Sequence, residues 1–375
     1  MAAPPVPPAD QPAQDSVTFR KFSGLKNTVG LERLGPDELA IAINVDLDDD
    51  GQLHRRRGQA LASSGVFGSC WNSAERIAYG VKNGSLGIIN PDMSFVALQS
   101  GLANAQVCYV QVGSNIYWSS PQGFSGIINQ NSRTNGPWGS GPDIFLSPVV
   151  NPTAYLPAIR GRLIGKTPYA SVLAYFNGRI YLANGQNVWA TELFTYNYVE
   201  RVTNFLPFEA DVTMIGTVGD GIYIGTAEGL WFLSGPFKEM KRTRVMDSPV
   251  IPGSMVEVPG ELANPPQVGL DQDTDEKVSI LFMTNRGYCG GHDGGVCYNY
   301  SESKVVFPGA ASASAVFRRQ DGMNHYIVGL NSAGTPSANT RIGDYLDAEL
   351  VRGGTWREAC DCVGFADSID AEIVT

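Results

Sequence analysis

Charge is scarce in this sequence, and its scarcity excludes several functions. Asp, Glu, Lys and Arg make up 17% of the 375 residues, below the roughly 25% of ordinary soluble domains. Basic residues number 27 against 37 acidic, a net charge of −10, and no basic cluster exceeds Arg55-Arg56-Arg57. Generic nucleic-acid binding needs several cations on one face to neutralise phosphates, so the expected partners are proteins. No apolar run approaches the ~18 residues of a membrane helix, and no membrane span is predicted. Histidine is limited to His54, His292 and His325, none beside a serine or cysteine in a nucleophile setting. No Walker or dinucleotide glycine pattern follows a strand, so no catalytic residue and no cofactor is predicted. Six cysteines are too few for a disulfide framework in so long a chain. The opening MAAPPVPPADQPAQD lacks the charged and apolar regions of a secretory signal. Residues 1–15 read instead as a flexible Pro/Ala-rich arm, with the cytosol as the expected site of synthesis.

Glycine is plentiful: 43 residues, about 11% against roughly 7% on average, with 23 prolines besides. Many tight turns between short strands are the natural use of such a composition. The clearest pattern is SVLAYFNGRIYLANGQNVWATE, Ser171 to Glu192, where Asn177-Gly178 between apolar runs signals a hairpin. The pattern returns at Thr213 to Leu233, with Asp220-Gly221 standing for Asn177-Gly178. Tyr181 to Tyr223 and Trp189 to Trp231 both step by 42 residues. Weaker copies lie around Ile77–Ile89, Val107–Trp118, Lys277–Tyr300 and Ala313–Leu330. A period near 40–45 residues, with one antiparallel sheet per unit, is the mark of propeller blades. The prediction is an all-β fold: a β-propeller of about six or seven antiparallel four-stranded blades over 66–375, with a non-repeat N-terminal segment at 16–65. The stretch 119–170 holds a further blade or an inserted loop, and an open β-sandwich is the alternative architecture.

Several constellations invite a chemical reading. Asp46, Asp48, Asp50 and Gly51 copy the start of a calcium loop, but its twelfth place falls on Arg57, where a glutamate is required. A hairpin turn between an acidic arm and a basic arm is predicted there, preceded by a short helix from Pro36 to Ala40. Asp271–Glu276 lacks the glycine of such a loop and reads as an inter-blade loop. Cys289, His292 and Cys297 sit in a glycine-rich hairpin and offer three ligands where zinc needs four. A metal site, a cross-hairpin disulfide and a flexible tip all remain open, with Cys360 and Cys362 as further donors. The fragment Gly353-Gly354-Thr355-Trp356 lacks the aspartate of a sialidase Asp-box. Trp189, Trp231, Tyr181 and Tyr223 are expected in the core, whereas Trp71, Trp118, Trp138 and Trp356 lie near turns where they can face a partner.

Residues 22–58 carry Phe22, Gly24, Leu25 and Asn27, then Leu34, Pro36, Glu38, Leu39, Ala42 and Asn44. An Asp-rich turn ending at Gly51 follows, and then Leu53, Arg55, Arg56 and Gly58. This opening resembles that of phage tail hub or nozzle proteins of short-tailed phages, and Ile224–Pro236 is similar to a later stretch of the same group. The match departs at Lys26 and at Arg57. The resemblance implies a non-enzymatic virion protein, assembled in the host cytoplasm as a homohexameric ring that lines the DNA exit channel during genome ejection. Its implied partners are further copies of itself, adaptor or head-to-tail connector proteins, and tail spike, fibre or needle proteins. Genomic DNA would pass without sequence-specific binding. Phe22, Leu25, Asn44, Asp46, Asp48, Asp50, Arg55, Arg56 and Arg57 are the candidate assembly interface. The alternatives are a carbohydrate-binding or glycoside-hydrolysing propeller, and a tail-completion or baseplate component of a long-tailed phage.

Overall fold

The computed structural model describes residues 21–26, 28–40, 45–47, 52–55, 64–102, 106–139, 144–146, 162–260, 278–301, 310–320 and 323–331. The chain divides into two compact units, one of Met1–Gln59 with Ser303–Val305 and one of the remainder.

In the first unit, β1 (Gly24–Leu25) runs parallel to β2 (Glu38–Leu39), and β3 (Val45–Leu47) pairs antiparallel with β4 (Leu53–Arg55). The predicted hairpin is therefore present, with Asp46 opposite His54 and Val45 opposite Arg55. The helix predicted from Pro36 to Ala40 is not: a 3₁₀ turn occupies Leu31–Arg33, and Glu38–Leu39 is extended. One helical turn leaves most of its backbone groups unpaired. Extended pairing instead lets Ser23 N–H reach the Asp37 carbonyl at 2.7 Å and Lys26 N–H reach that of Leu39 at 2.8 Å.

The second unit is all-β. Its first sheet contains β5 (Phe67–Asn72), β6 (Ala78–Lys82), β7 (Ser85–Ile89) and β8 (Phe95–Gln99); its second contains β9 (Cys108–Val112), β10 (Asn115–Ser120), β11 (Phe124–Asn129) and β12 (Thr134–Gly136). Next come β13 (Ile144–Leu146) and β14 (Arg162–Lys166). The third four-stranded sheet is β15 (Val172–Phe176), β16 (Arg179–Asn184), β17 (Asn187–Ala190) and β19 (Phe205–Pro207), with β18 (Tyr198–Glu200) set aside. The fourth is β20 (Val212–Val218), β21 (Gly221–Thr226), β22 (Leu230–Ser234) and β23 (Lys241–Met246). The fifth is β24 (Val256–Pro259), β25 (Val278–Thr284), β26 (Gly287–Gly291) and β27 (Cys297–Asn299), and a two-stranded sheet of β28 (Ser312–Gln320) and β29 (Met323–Asn331) follows.

Each four-stranded sheet is an antiparallel meander of blade type. Successive sheets lie against one another along their first strands, β9 against β15, β15 against β20 and β24 against β28, while β20 lies against both β24 and β25. The described residues thus give five four-stranded blades and two strands of a sixth. The stretch 119–170 completes the second blade with β11 and β12. It then supplies β13 and β14, which join β18 in an accessory three-stranded sheet.

Local sequence explains the hairpins. Asn83-Gly84 and Asn177-Gly178 close two-residue loops with φ of 50° and 73°, and 51° and 76°, the left-handed pair that a type I′ turn demands. In the fourth blade the loop is Gly219-Asp220, one residue earlier than the predicted Asp220-Gly221, because Val218 pairs with Gly221. The 42-residue step survives this correction, since 177 + 42 = 219.

Packing lies between blades. Tyr79, Leu86 and Ile88 of the first sheet share a buried cluster with Ile116, Trp118 and Ile128 of the second. Ala174, Tyr181 and Val188 meet Ile215, Ile222 and Ile224 across the next-but-one seam, and Met214 and Tyr223 meet Ile280 and Phe282 beyond it. Among the described residues no helix is long and apolar enough to cross a membrane. Replacing fully buried Ile215 with Ala should cost about 2–5 kcal/mol in urea unfolding, whereas exposed Val96→Ala should stay within about 0.5 kcal/mol.

Candidate functional site

The predicted assembly residues lie only partly among the described residues. Phe22 is half-buried and Leu25 sits on β1 opposite Leu39. Arg55 and its neighbour His54 are exposed on β4, and Asp46 lies on β3. Asn44, Asp48, Asp50, Arg56 and Arg57 lie outside the described residues. Lys26, where the sequence departs from the phage pattern, bridges to Glu38 at 2.6 Å, and Glu38 also accepts the Gly35 amide at 2.9 Å. That pair ties the segment after β1 to β2.

The glycine-rich hairpin of Cys289, His292 and Cys297 is a packed part of the fifth blade. Antiparallel register sets Gly291 opposite Cys297 and Cys289 opposite Asn299, so the two thiols share one face of the sheet. Neither is in a disulfide. Hydrogen bonding to Cys289 and burial push the Cys297 thiol far up. Burial likewise drives Cys70 and Cys108 up to about 12 each, keeping all three in the weakly nucleophilic thiol form. His292 has both ring nitrogens engaged, Nδ1 with Ser279 Oγ at 2.8 Å and Nε2 with Tyr300 Oη at 3.0 Å. A ring held at both ends does not coordinate a metal alongside the thiols. Among the described residues no three His, Cys, Asp or Glu side chains gather as a metal would need.

The same hairpin locks two blades together. Tyr223 Oη of β21 lies 2.6 Å from the His292 carbonyl oxygen and 2.9 Å from that of Val296. The Gly219 amide donates to Asp293 at 2.8 Å, and the Gly294 amide donates to Asp220 at 2.9 Å. Each hairpin tip therefore caps the other.

A second polar cluster, invisible in the sequence, supports the accessory sheet. Arg162 on β14 donates from Nε to Glu200 on β18 at 3.1 Å and from Nη2 to Glu192. Asn204 donates to the same Glu192 oxygen at 2.9 Å. Burial of Glu200 raises its carboxyl pKa, but the Thr203 hydroxyl and the Arg162 guanidinium outweigh that and hold it below the usual value. This network anchors a tight turn, Glu192–Thr195, whose tip is Leu193-Phe194. The partners of Arg162 lie 30 and 38 residues away, with no periodic signal to reveal them.

The aromatic residues largely serve packing. Tyr181 and Tyr223 are buried, and burial drives Tyr181 up to about 12. Trp189 and Trp231 occupy equivalent half-buried positions, against Phe205 at 5.2 Å and Phe208 at 6.5 Å. Trp118 and Trp138, which lie near turns where they could face a partner, are instead buried, with indole N–H groups donating to Asn135 at 2.8 Å and to the Tyr196 carbonyl at 2.9 Å. Trp71 stacks on Tyr109 at 5.7 Å, and Trp356 lies outside the described residues.

No family model and no curated protein matches the chain. Among solved structures, the chain is similar to the extracellular domain of a hybrid two-component system from B. thetaiotaomicron, with 12% identity and a TM-score of 0.43 over 72% of this chain. It spans only 31% of that protein's length. The computationally designed Ika8 protein gives 8% identity and a TM-score of 0.39, covering 75% of this chain and 72% of that one. The Neurospora crassa Pan2 WD40 domain gives 9% and 0.36, covering 60% and 61%. The fold assignment rests on the sheet topology, and these likenesses say nothing of function.

Two outcomes follow from the clusters. Burial lowers the His292 pKa, against a smaller opposing pull from Asp293. The neutral ring is then favoured by folding, and stability falls as pH drops below the unfolded value of about 6.5. Urea midpoints from about pH 7.5 to about pH 5.5 should decline more steeply for the wild type than for His292→Asn. Arg162→Met, which strands Glu200, should cost about 1–3 kcal/mol in the same assay.

Proposed function

We propose that this chain is a structural, non-enzymatic virion protein: a ring-forming subunit of a phage tail hub or nozzle. It would join adaptor or head-to-tail connector proteins to the distal tail spike, fibre or needle, and line the path of the ejected genome. The observation that carries this reading is the opening motif of residues 22–58, set beside a body of propeller-type blades. In the described part of that motif, Leu25, Lys26, Glu38 and Leu39 build a paired β-structure, within a unit compact in its own right.

The electrostatics agree with this reading. A ring of subunits each carrying −10 repels the phosphate backbone, so DNA can slide past without adhering. The polar clusters are consistent with a structural role as well, because His292, Asp220, Asp293 and Arg162 spend their hydrogen bonds on holding strands together.

Electron microscopy of the recombinant protein at high concentration, and of purified particles, should show closed rings at the tail. Deleting residues 1–58 should abolish ring assembly and tail attachment. Rings that persist after the deletion would remove the N-terminal segment from the interface. A protein that stays monomeric and is missing from particles would sink the whole reading.

A further inference from the structure

In the fifth blade two thiols are left to each other by the residues directly across from them. Antiparallel register sets Gly291 of β26 opposite Cys297 of β27, and Cys289 opposite Asn299. Gly291 has no side chain to meet Cys297. Asn299 is engaged elsewhere: its amide donates to the Arg286 carbonyl at 3.1 Å, and its side-chain oxygen accepts the Ser301 amide at 3.1 Å. Diagonal neighbours on one face of a sheet can touch, and here the Cys297 thiol hydrogen-bonds with that of Cys289. Cys108, by contrast, gives its thiol to the carbonyls of Ser119 and Ala170, at 3.3 and 3.4 Å. Cys289 is fully buried, whereas Cys297 is half-buried, on a three-residue strand that ends its sheet. The chain between the two cysteines is the tip that grips the fourth blade. Tyr223 Oη reaches the carbonyls of His292 and Val296, the Gly219 amide donates to Asp293, and the Gly294 amide donates to Asp220. Every one of those contacts lies inside the loop that the two thiols could close.

We propose that Cys289 and Cys297 are a latent disulfide, closed by exchange with a small-molecule disulfide, and that its closure locks the seam between the fourth and fifth blades. The step is a two-electron exchange through a mixed disulfide. Cys297, the more accessible thiol, loses its proton and attacks one sulfur of glutathione disulfide, and one glutathione leaves as a thiol. Cys289 then loses its proton and attacks the Cys297 sulfur, which releases the second glutathione. Two cysteine thiols are oxidised, one glutathione disulfide is reduced, and the two protons end on the two glutathiones. Bonded sulfurs stand about 2.05 Å apart, and a short outermost strand can shift to bring them there. In a reducing compartment the pair stays open, and in an oxidising one it closes. Because Cys297 is held in the thiol form, exchange is slow, as befits a structural staple and not a redox catalyst. Closing the 289–297 loop also removes conformations from the unfolded chain. This inference does not depend on the proposed ring-forming role.

Peptide mapping by mass spectrometry tests the bond in the full chain, incubated for hours with glutathione disulfide and then alkylated under denaturing conditions. The expected product joins Cys289 to Cys297, is lighter by two hydrogens than the dithiol, and is reopened by dithiothreitol. Hydrogen exchange reads the seam. Protection of the Gly219 and Gly294 amides should rise on oxidation by on the order of threefold or more, and the urea midpoint should rise with it. Neither gain should appear in Cys297→Ser, nor in Cys297→Ala should the serine variant fail to fold. Two alkylated thiols, a Cys297 left as the mixed disulfide with glutathione, or a bond from either residue to another cysteine would overturn the pair. A Cys289–Cys297 bond without added protection at Gly219 and Gly294 would overturn the seam lock.

Discussion

Each blade of this protein is a sheet with two apolar faces, and neither face can be hidden within the blade itself. Stability therefore resides in the seams, where one sheet lies on the next. Backbone economy sets how close those sheets come. Gly216 on β20 faces Ile280 on β25, where a Cβ would stand 2.8 Å from the isoleucine Cδ1, and Gly225 faces Val250 at the same 2.8 Å. Side chains at those two places would wedge the fourth and fifth blades apart and forfeit the contacts of Tyr223, Ile280 and Phe282. Glycine in this chain therefore does two jobs, closing loops and letting sheets approach.

Apolar burial is non-directional and does not by itself fix the angular register of one blade on its neighbour. Directional bonds do that. The fourth and fifth blades exchange carboxylate caps through Asp220 and Asp293, and Tyr223 drives its hydroxyl between two carbonyls of the facing hairpin. Between the first and second blades, Gln111 accepts the Ala74 amide at 2.8 Å and donates to Glu75 at 2.8 Å. These bonds span 36 to 74 residues of sequence. They convert a stack of greasy sheets into one with a defined register.

How much of this the sequence discloses depends on the range of the interaction. Hairpins are local, so Asn83-Gly84 and Asn177-Gly178 announce themselves. The Tyr181/Tyr223 and Trp189/Trp231 landmarks repeat because each blade must present equivalent side chains to equivalent seams. The turn at Asp220 shows where local reasoning fails: Asp-Gly is a good turn pair, yet Val218 pairs with Gly221, so the loop is Gly219-Asp220 and Asp220 caps a distant hairpin. Pro36–Ala40 carries reasonable helix-start chemistry, but a parallel strand partner 14 residues earlier outbids a single turn of helix. Trp118 and Trp138 lie near turns in sequence and are buried through bonds to Asn135 and Tyr196. The Arg162 network and the Phe194 turn leave no periodic trace, since they depend on an excursion between β17 and β19 that interrupts the repeat.

That interruption is not something blade packing requires. A regular blade needs only a short connection between its third and fourth strands, yet here the chain leaves β17 at Ala190 and returns at Phe205, spending the interval on an accessory strand, a charged anchor and an exposed apolar tip. Seam packing gains nothing from exposing Phe194 to water, and the hairpin below it would close without it. Extra chain and an uncommon backbone conformation thus serve the outside of the molecule. In a protein whose polar clusters otherwise bind strand to strand, this excursion spends one of them, Arg162 on Glu192, on a turn that leaves Leu193 and Phe194 exposed.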